Sequence, residues 1–175
     1  ASFSLPINVA ATSSPITANS WCHVAFVMNN SNITMFVNGV QVLASTATTA
    51  PPTGSGTVFF GSYFGGGSYL FNGYMSNLRI VKNTAVYTSN FTPSTTPLTY
   101  TQAAGVNTVA LPGNPYAYTG GNSFYLGGSD YITAASSANF GFGTGDLTVE
   151  GWWYFTGTIA TYQRPWWFGD DNDNM

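Results

Sequence analysis

The sequence predicts an all-β sandwich, and three observations support this prediction. Strand-like runs recur at intervals of roughly eight to twelve residues, with turn residues between them. No apolar pattern of helical length repeats with a period of about 3.6 residues. Aromatic residues make up 17% of the chain, and together with the β-branched residues they suit a pleated, half-buried surface. Strands of this kind are expected to pack as two layers.

The strand-like segments run the length of the chain. In chain order they are Phe3–Val9, Trp21–Met28, Ile33–Val37, Val40–Ala44, Thr57–Tyr63, Gly73–Val81, Asn122–Leu126, Asp130–Ala134, Leu147–Phe155 and Trp166–Gly169. Two of them alternate clearly between the two faces of a strand. Their predicted core residues are Cys22, Val24, Phe26 and Met28 in one, and Leu147, Val149, Trp153 and Phe155 in the other.

A two-residue turn is predicted at Asn38-Gly39, which lies between two apolar strand runs. Asn-Gly favours a type I′ turn, because both central residues of that turn need positive φ. The flanking segments are therefore expected to form a β-hairpin.

Composition excludes several classes of protein. Charged residues are 5% of the chain, and its net charge of −3 includes only three basic residues. A nucleic-acid-binding surface needs a basic patch, which is missing. No apolar run approaches the ~18 residues of a membrane span, so we expect no membrane insertion. The high aromatic content argues against intrinsic disorder.

Cys22 is the single cysteine, so no disulfide can form within the chain. It lies on the apolar face of its strand, and we expect a buried structural thiol.

The chain begins with Ala1 and shows no signal-peptide pattern, so we expect that it is processed or truncated.

Several motifs resemble laminin-G-like domains of the concanavalin A-like jelly-roll superfamily. They are Trp21-Cys22-His23-Val24-Ala25, Phe36-Val37-Asn38-Gly39, Phe71-Asn72-Gly73-Tyr74 through Arg79-Ile80, Tyr87 through Pro93, and Gly145-Asp146-Leu147-Thr148-Val149-Glu150 through Trp152. The resemblance implies a jelly-roll β-sandwich. The third and fourth motifs are similar to domains of phage and other viral structural proteins, which often occur in tandem.

The order of these motifs differs from the family pattern. Residues 1–99 resemble the second half of such a domain, residues 122–175 resemble its first half, and residues 100–121 are linker-like. Two explanations stay open: a window across two tandem domains, or a circularly permuted single domain. Chain termini that lie close together would allow the permutation.

The resemblance implies a non-enzymatic structural or adhesive module of a virion or another extracellular assembly. Its partners would be other copies, neighbouring subunits or a surface glycan. The alternative is a soluble lectin-like module.

Glycoside hydrolysis needs two carboxyl groups about 5–10 Å apart. Glu150 is the only glutamate, and the nearest acid on the same face, Asp146, lies four strand residues away, or roughly 13 Å. That separation is too large for the carboxyl pair of a retaining glycosidase, so we do not expect this activity.

Candidate carbohydrate contacts are aromatic residues and one carboxylate, because ring faces stack on sugars while carboxylates accept hydroxyl hydrogen bonds. They are Trp152, Tyr154, Glu150, Trp166, Trp167 and Tyr63. Glu150 has a competing interpretation as the partner of Arg79 or Arg164 in an internal ion pair. His23, the only histidine, is expected to make structural hydrogen bonds.

Ca²⁺ is the one cofactor that the sequence indicates. Asp170, Asp171 and Asp173 form the densest cluster of oxygen ligands. The family resemblance implies Asp130 as a second candidate, since many relatives bind a structural Ca²⁺. Ca²⁺ takes six to eight oxygens. The glycine and the distal glutamate of an EF-hand are missing, so only a looser site is predicted.

Overall fold

The computed structural model of the protein describes residues 3–4, 8–9, 16–46, 56–63, 69–95, 98, 108–110, 123–157, 163 and 165–169. The strands are β1 (Phe3–Ser4), β2 (Asn8–Val9), β3 (Trp21–Asn29), β4 (Asn32–Val37), β5 (Val40–Thr46), β6 (Gly56–Phe60), β7 (Asn72–Lys82), β8 (Thr108–Ala110), β9 (Phe124–Gly127), β10 (Ile132–Ser137), β11 (Leu147–Phe155) and β12 (Trp166–Gly169). One 3-10 turn occupies Ala138–Phe140.

The strands form two sheets, as the sequence predicts. The first sheet has five strands in the order β10-β6-β12-β1-β2. The second has seven strands in the order β5-β4-β3-β11-β7-β8, with β9 also paired to β7. Pairing is antiparallel except between β1 and β12. The prediction of an all-β sandwich is confirmed.

Strands from the two predicted halves pair within the same sheets. β11 lies between β3 and β7, and β12 lies between β6 and β1. β8 falls inside the predicted linker and pairs with β7. The division into residues 1–99, 100–121 and 122–175, and the choice between tandem domains and a permuted domain, stay predictions.

One apolar core joins the two sheets. Val58, Phe60, Trp166 and Phe168 of the first sheet pack in the same cluster as β3, β7 and β11 side chains of the second. The predicted core residues of both alternating strands are all buried: Cys22, Val24, Phe26, Met28, Leu147, Val149, Trp153 and Phe155. Strand alternation therefore identifies the inward face correctly.

The β4–β5 hairpin turns at Asn38 and Gly39, whose φ angles are 50° and 76°. Both values are positive, which confirms the predicted type of turn. The Gly39 carbonyl oxygen also accepts a hydrogen bond of 2.9 Å from the Phe91 N–H. The hairpin is thereby connected to a segment that follows β7.

Candidate functional site

A strap of non-strand residues, 83–95, follows β7 and covers part of the outer face of the second sheet. Ala85, Tyr87 and Phe91 of the strap pack on Ala25, Val27 and Phe36, which point away from the main core. Tyr87 and Phe91 stack on each other with ring centroids 3.5 Å apart. The strap forms a small second apolar layer on that face.

Hydrogen bonds fix the strap along its length. The Val86 N–H donates to Thr148 Oγ1 at 2.9 Å, and the Thr148 hydroxyl donates to the Thr84 carbonyl oxygen. The Gln41 N–H donates to Asn90 Oδ1. Near the end of the strap, the Trp152 indole N–H donates to the Ser94 carbonyl oxygen at 3.0 Å. These hydrogen bonds therefore hold the strap against the outer face of the sheet from Thr84 to Ser94.

Under the strap lies a buried polar network centred on Glu150, which is 0% exposed. Arg79 donates to Glu150 Oε1 through Nε at 2.7 Å and also through Nη2. The Tyr87 hydroxyl donates to Glu150 Oε2 at 2.7 Å, and His23 Nε2 is 3.1 Å from the same oxygen. The network joins β3, β7, β11 and the strap.

The surroundings of Glu150 determine its protonation. Burial acts to raise the pKa of this carboxyl, but the His23 hydrogen bond, the charges of Arg79 and His23, and the Tyr87 hydrogen bond outweigh burial. The pKa of Glu150 is therefore lowered, and the group is a carboxylate at neutral pH. Burial and the Glu150 charge raise the pKa of Tyr87, so its hydroxyl remains a donor.

The interpretation of Glu150 as the partner of Arg79 in an internal ion pair is confirmed. The alternative placed Glu150, Trp152 and Tyr154 together on an exposed face. The structure instead buries Glu150 and Trp152 under the strap, and Tyr154 is half-buried. His23 makes the structural contact expected of it. Burial raises the pKa of the Cys22 thiol to about 12, as expected of a structural cysteine.

The other predicted carbohydrate contacts do not come together with Tyr154. Trp166 is 0% exposed, in the core, with its ring centroid 5.4 Å from that of Trp153. Trp167 is buried beside Phe59 and contacts the half-buried Tyr63 at 5.9 Å between centroids. Because adjacent strand residues point to opposite faces, Trp166 and Trp167 could not share one site. Carbohydrate binding by these residues stays a prediction.

The predicted Ca²⁺ ligands Asp170, Asp171 and Asp173 lie outside the described residues. Asp130 is exposed, and its Oδ2 accepts a hydrogen bond from the Gly127 N–H at 3.0 Å. Within the described part of the chain, no group of three or more His, Cys, Asp or Glu residues could hold a metal ion. The Ca²⁺ site stays a prediction.

Beyond Trp152, the outer face of the second sheet carries an aromatic row. We define it as Trp21 of β3, Tyr154 of β11, Tyr74 of β7 and Tyr125 of β9, which lie opposite one another in the strand register. Successive ring centroids are 5.6, 5.8 and 4.8 Å apart. Tyr74 and Tyr125 are 37% and 55% exposed, while Trp21 and Tyr154 are half-buried.

An open pocket of about 270 Å³ lies in the aromatic row and is lined by Trp21, Tyr74, Tyr154 and Ser123. Nearby backbone contacts hold the strand ends: Asn19 N–H donates to the Phe155 carbonyl oxygen, and Thr156 N–H donates to that of Asn72. Aromatic faces beside hydroxyl groups can hold a sugar through C–H contacts and hydrogen bonds. These residues therefore form a candidate sugar-binding site.

Tyr154 was predicted from the sequence, but its neighbours Trp21, Tyr74 and Tyr125 were not. Strand alternation could have indicated Trp21, because it places Trp21 on the outward face of its strand together with His23. Alternation gives the face on which a side chain lies, but it does not show which outward residues are covered by the strap.

Comparison with known families agrees with this architecture. Residues 4–89 match the laminin G model of the concanavalin A-like lectin/glucanases superfamily. No curated protein and no solved structure matches the chain. In the described ranges, no helix has the length and apolar character needed to cross a membrane. Laminin-G-like domains are commonly extracellular, and the superfamily supports a carbohydrate-binding or structural role. In residues 4–89 and in its two-sheet fold, the chain is similar to the concanavalin A-like lectin/glucanases superfamily.

Proposed function

We propose that the protein is a non-enzymatic carbohydrate-binding module that acts in adhesion through the aromatic row. The observation that supports this function most directly is the line of four aromatic side chains left uncovered by the strap, three of which, Trp21, Tyr154 and Tyr74, line a pocket. Protein aromatic rings of this kind pack against the apolar faces of sugars, while tyrosine and serine hydroxyls hydrogen-bond to sugar hydroxyls.

The burial of Glu150 supports a binding role over hydrolysis. A glycosidase acid must reach the glycosidic oxygen, and its partner carboxyl must stand on the other side of the bond. Glu150 is enclosed and bonded to Arg79, Tyr87 and His23. The other nearby acid, Asp146, accepts a hydrogen bond from the Asn30 N–H at 3.0 Å. The two carboxylates are therefore engaged in structural contacts.

Replacing Tyr74 with alanine tests this function. One sugar–ring contact is worth roughly 1 kcal/mol, so affinity for a bound glycan should fall about three- to tenfold. Glycan-array screening identifies a ligand, and titration calorimetry then measures the loss. Tyr131→Ala is the matched control, because Tyr131 is 40% exposed but packs against Phe59 of the first sheet.

The two variants distinguish the faces of the sandwich. Weaker binding by Tyr74→Ala with unchanged binding by Tyr131→Ala supports the aromatic row. The reverse result places the glycan on the first sheet. Failure of the unmodified protein to bind any glycan on the array contradicts the proposal.

A second candidate function is that of a structural module in an extracellular assembly, such as a virion, which pairs with other copies or neighbouring subunits. The edge strand β5 favours it. Val40–Thr46 lies at the end of the second sheet and contains no charged residue, and Val40 is 55% exposed. Proteins usually protect such edges with charges, because unpaired strands associate.

Light scattering on the purified protein tests this second candidate. A stable multimer that dissociates in the variant Val40→Lys is the expected result, since a charge on the edge strand opposes strand pairing. Thr46→Lys at the far end of the same strand tests whether the whole edge takes part. A protein that remains monomeric at high concentration contradicts assembly through β5.

A further inference from the structure

The direction of the aromatic row limits the shape of its ligand. The four residues occupy four neighbouring strands at matched register positions, so the row runs across the strands. Three steps between strands span about 14 Å, because neighbouring strands lie ~4.8 Å apart. A row of that length is longer than one sugar ring and suits several successive units of an extended chain.

The angles between the ring planes favour a soluble chain over a crystalline surface as the ligand. Successive rings are inclined by 60° between Trp21 and Tyr154, by 79° between Tyr154 and Tyr74, and by 41° between Tyr74 and Tyr125. A flat crystalline surface contacts several rings at once only where the rings share one plane. These four do not, but a single chain with rotatable linkages can present each sugar at a different angle.

The charges around the row limit the chemistry of the ligand. None of the described pocket-lining residues is charged. The described cations are engaged elsewhere: Arg79 with Glu150, and Lys82 with the Ala138 carbonyl oxygen. Asp130 lies near the Tyr125 end of the row, since a Cβ at Gly127 would be 3.3 Å from Asp130 Oδ2 and 3.7 Å from the Tyr125 hydroxyl. That carboxylate repels acidic sugars.

We propose that the aromatic row binds one soluble, uncharged polysaccharide chain that lies across the strands, with successive sugar units on successive rings. This inference rests on the proposed carbohydrate-binding function and adds the length, state and charge of the ligand. Trp21, Tyr154 and Tyr74 hold the units at the pocket, and Tyr125 contacts a unit farther along the chain.

The test uses neutral gluco-, manno- and galacto-oligosaccharides from the disaccharide to the hexasaccharide, titrated into the whole protein. In the series that binds, affinity should increase with chain length. Tyr125→Ala should weaken hexasaccharide binding about three- to tenfold and leave disaccharide binding unchanged. Phe124→Ala is the control, because Phe124 is 42% exposed on the same strand but points to the opposite face.

Three results would overturn the inference while leaving carbohydrate binding intact. They are an affinity that does not change with chain length, preferential binding to a sulfated or uronic-acid polymer, and binding to microcrystalline cellulose without binding to soluble chains. If no sugar of any length or charge binds, the proposed function itself fails, and the inference fails with it.

Discussion

Replacing Glu150 with alanine is expected to destabilise the folded protein by about 3–5 kcal/mol, because it removes one partner of a buried ion pair. Arg79, Tyr87 and His23 would lose the acceptor that they share. The Arg79 side chain is 14% exposed, so water compensates part of the loss and the effect should lie toward the lower end. Urea unfolding followed by tryptophan fluorescence measures the change.

Glu150→Gln is the matched control, because it keeps an oxygen acceptor and nearly the same shape. Its loss of stability should be smaller than that of Glu150→Ala. If Glu150→Ala cost less than about 1 kcal/mol, as exposed ion pairs do, the network would not stabilise the fold in the way described.

The stabilisation by Glu150 should also depend on pH. The pKa of this group is lowered from 4.5, so the unfolded chain takes up a proton there more readily than the folded protein does. The stabilisation is complete above that ordinary value and is lost as the pH falls through the lower folded-state pKa. The difference in unfolding free energy between the unmodified protein and Glu150→Gln should therefore shrink on acidification. A difference independent of pH would show that the negative charge contributes nothing.

Replacing Gly39 with alanine should destabilise the protein by more than the conformational cost of its turn. That cost is about 1–2 kcal/mol for a residue in the left-handed region, and the φ of Gly39 is +76°. In addition, a Cβ at this position would overlap with the Phe91 carbonyl oxygen. The strap would have to move, and the Phe91-to-Gly39 hydrogen bond would be strained.

Gly143→Ala separates the two contributions. Gly143 has a φ of +59°, and a Cβ there would meet nothing within 4 Å, so only the backbone cost applies. Urea unfolding of both variants should show the larger loss for Gly39→Ala. Equal losses would mean that the strap adjusts to the extra methyl group without cost.

Much of the fold could be predicted because strand alternation and turn chemistry are local. Cys22, Val24 and Trp153 point inward as their spacing indicates, and Asn38-Gly39 forms the expected turn. The position of β11 between β3 and β7 depends on pairing between distant segments. No local pattern specifies that pairing.

The candidate site was harder to predict, because exposure depends on the strap as well as on the strand pattern. Trp152 and Tyr154 both point outward from β11, yet Trp152 is bonded to Ser94 of the strap and Tyr154 lies beyond it. Residues 83–95 have no regular periodicity, so the sequence does not show where they pack. The pairing of Glu150 with Arg79 was predictable as one of two alternatives, because the chain has only three basic residues.

The central place of β11 has a consequence for how the chain acquires its structure. The Cys22 thiol and the Trp153 carbonyl oxygen are in contact, although 131 positions separate the two residues in the chain. Closing so long a loop costs conformational entropy before any contact repays it, and topologies rich in distant pairings fold slowly. During synthesis, β3 and β7 emerge well before the strand that joins them. Until then both present open edges, so this is the stage at which the nascent chain is most exposed to mispairing.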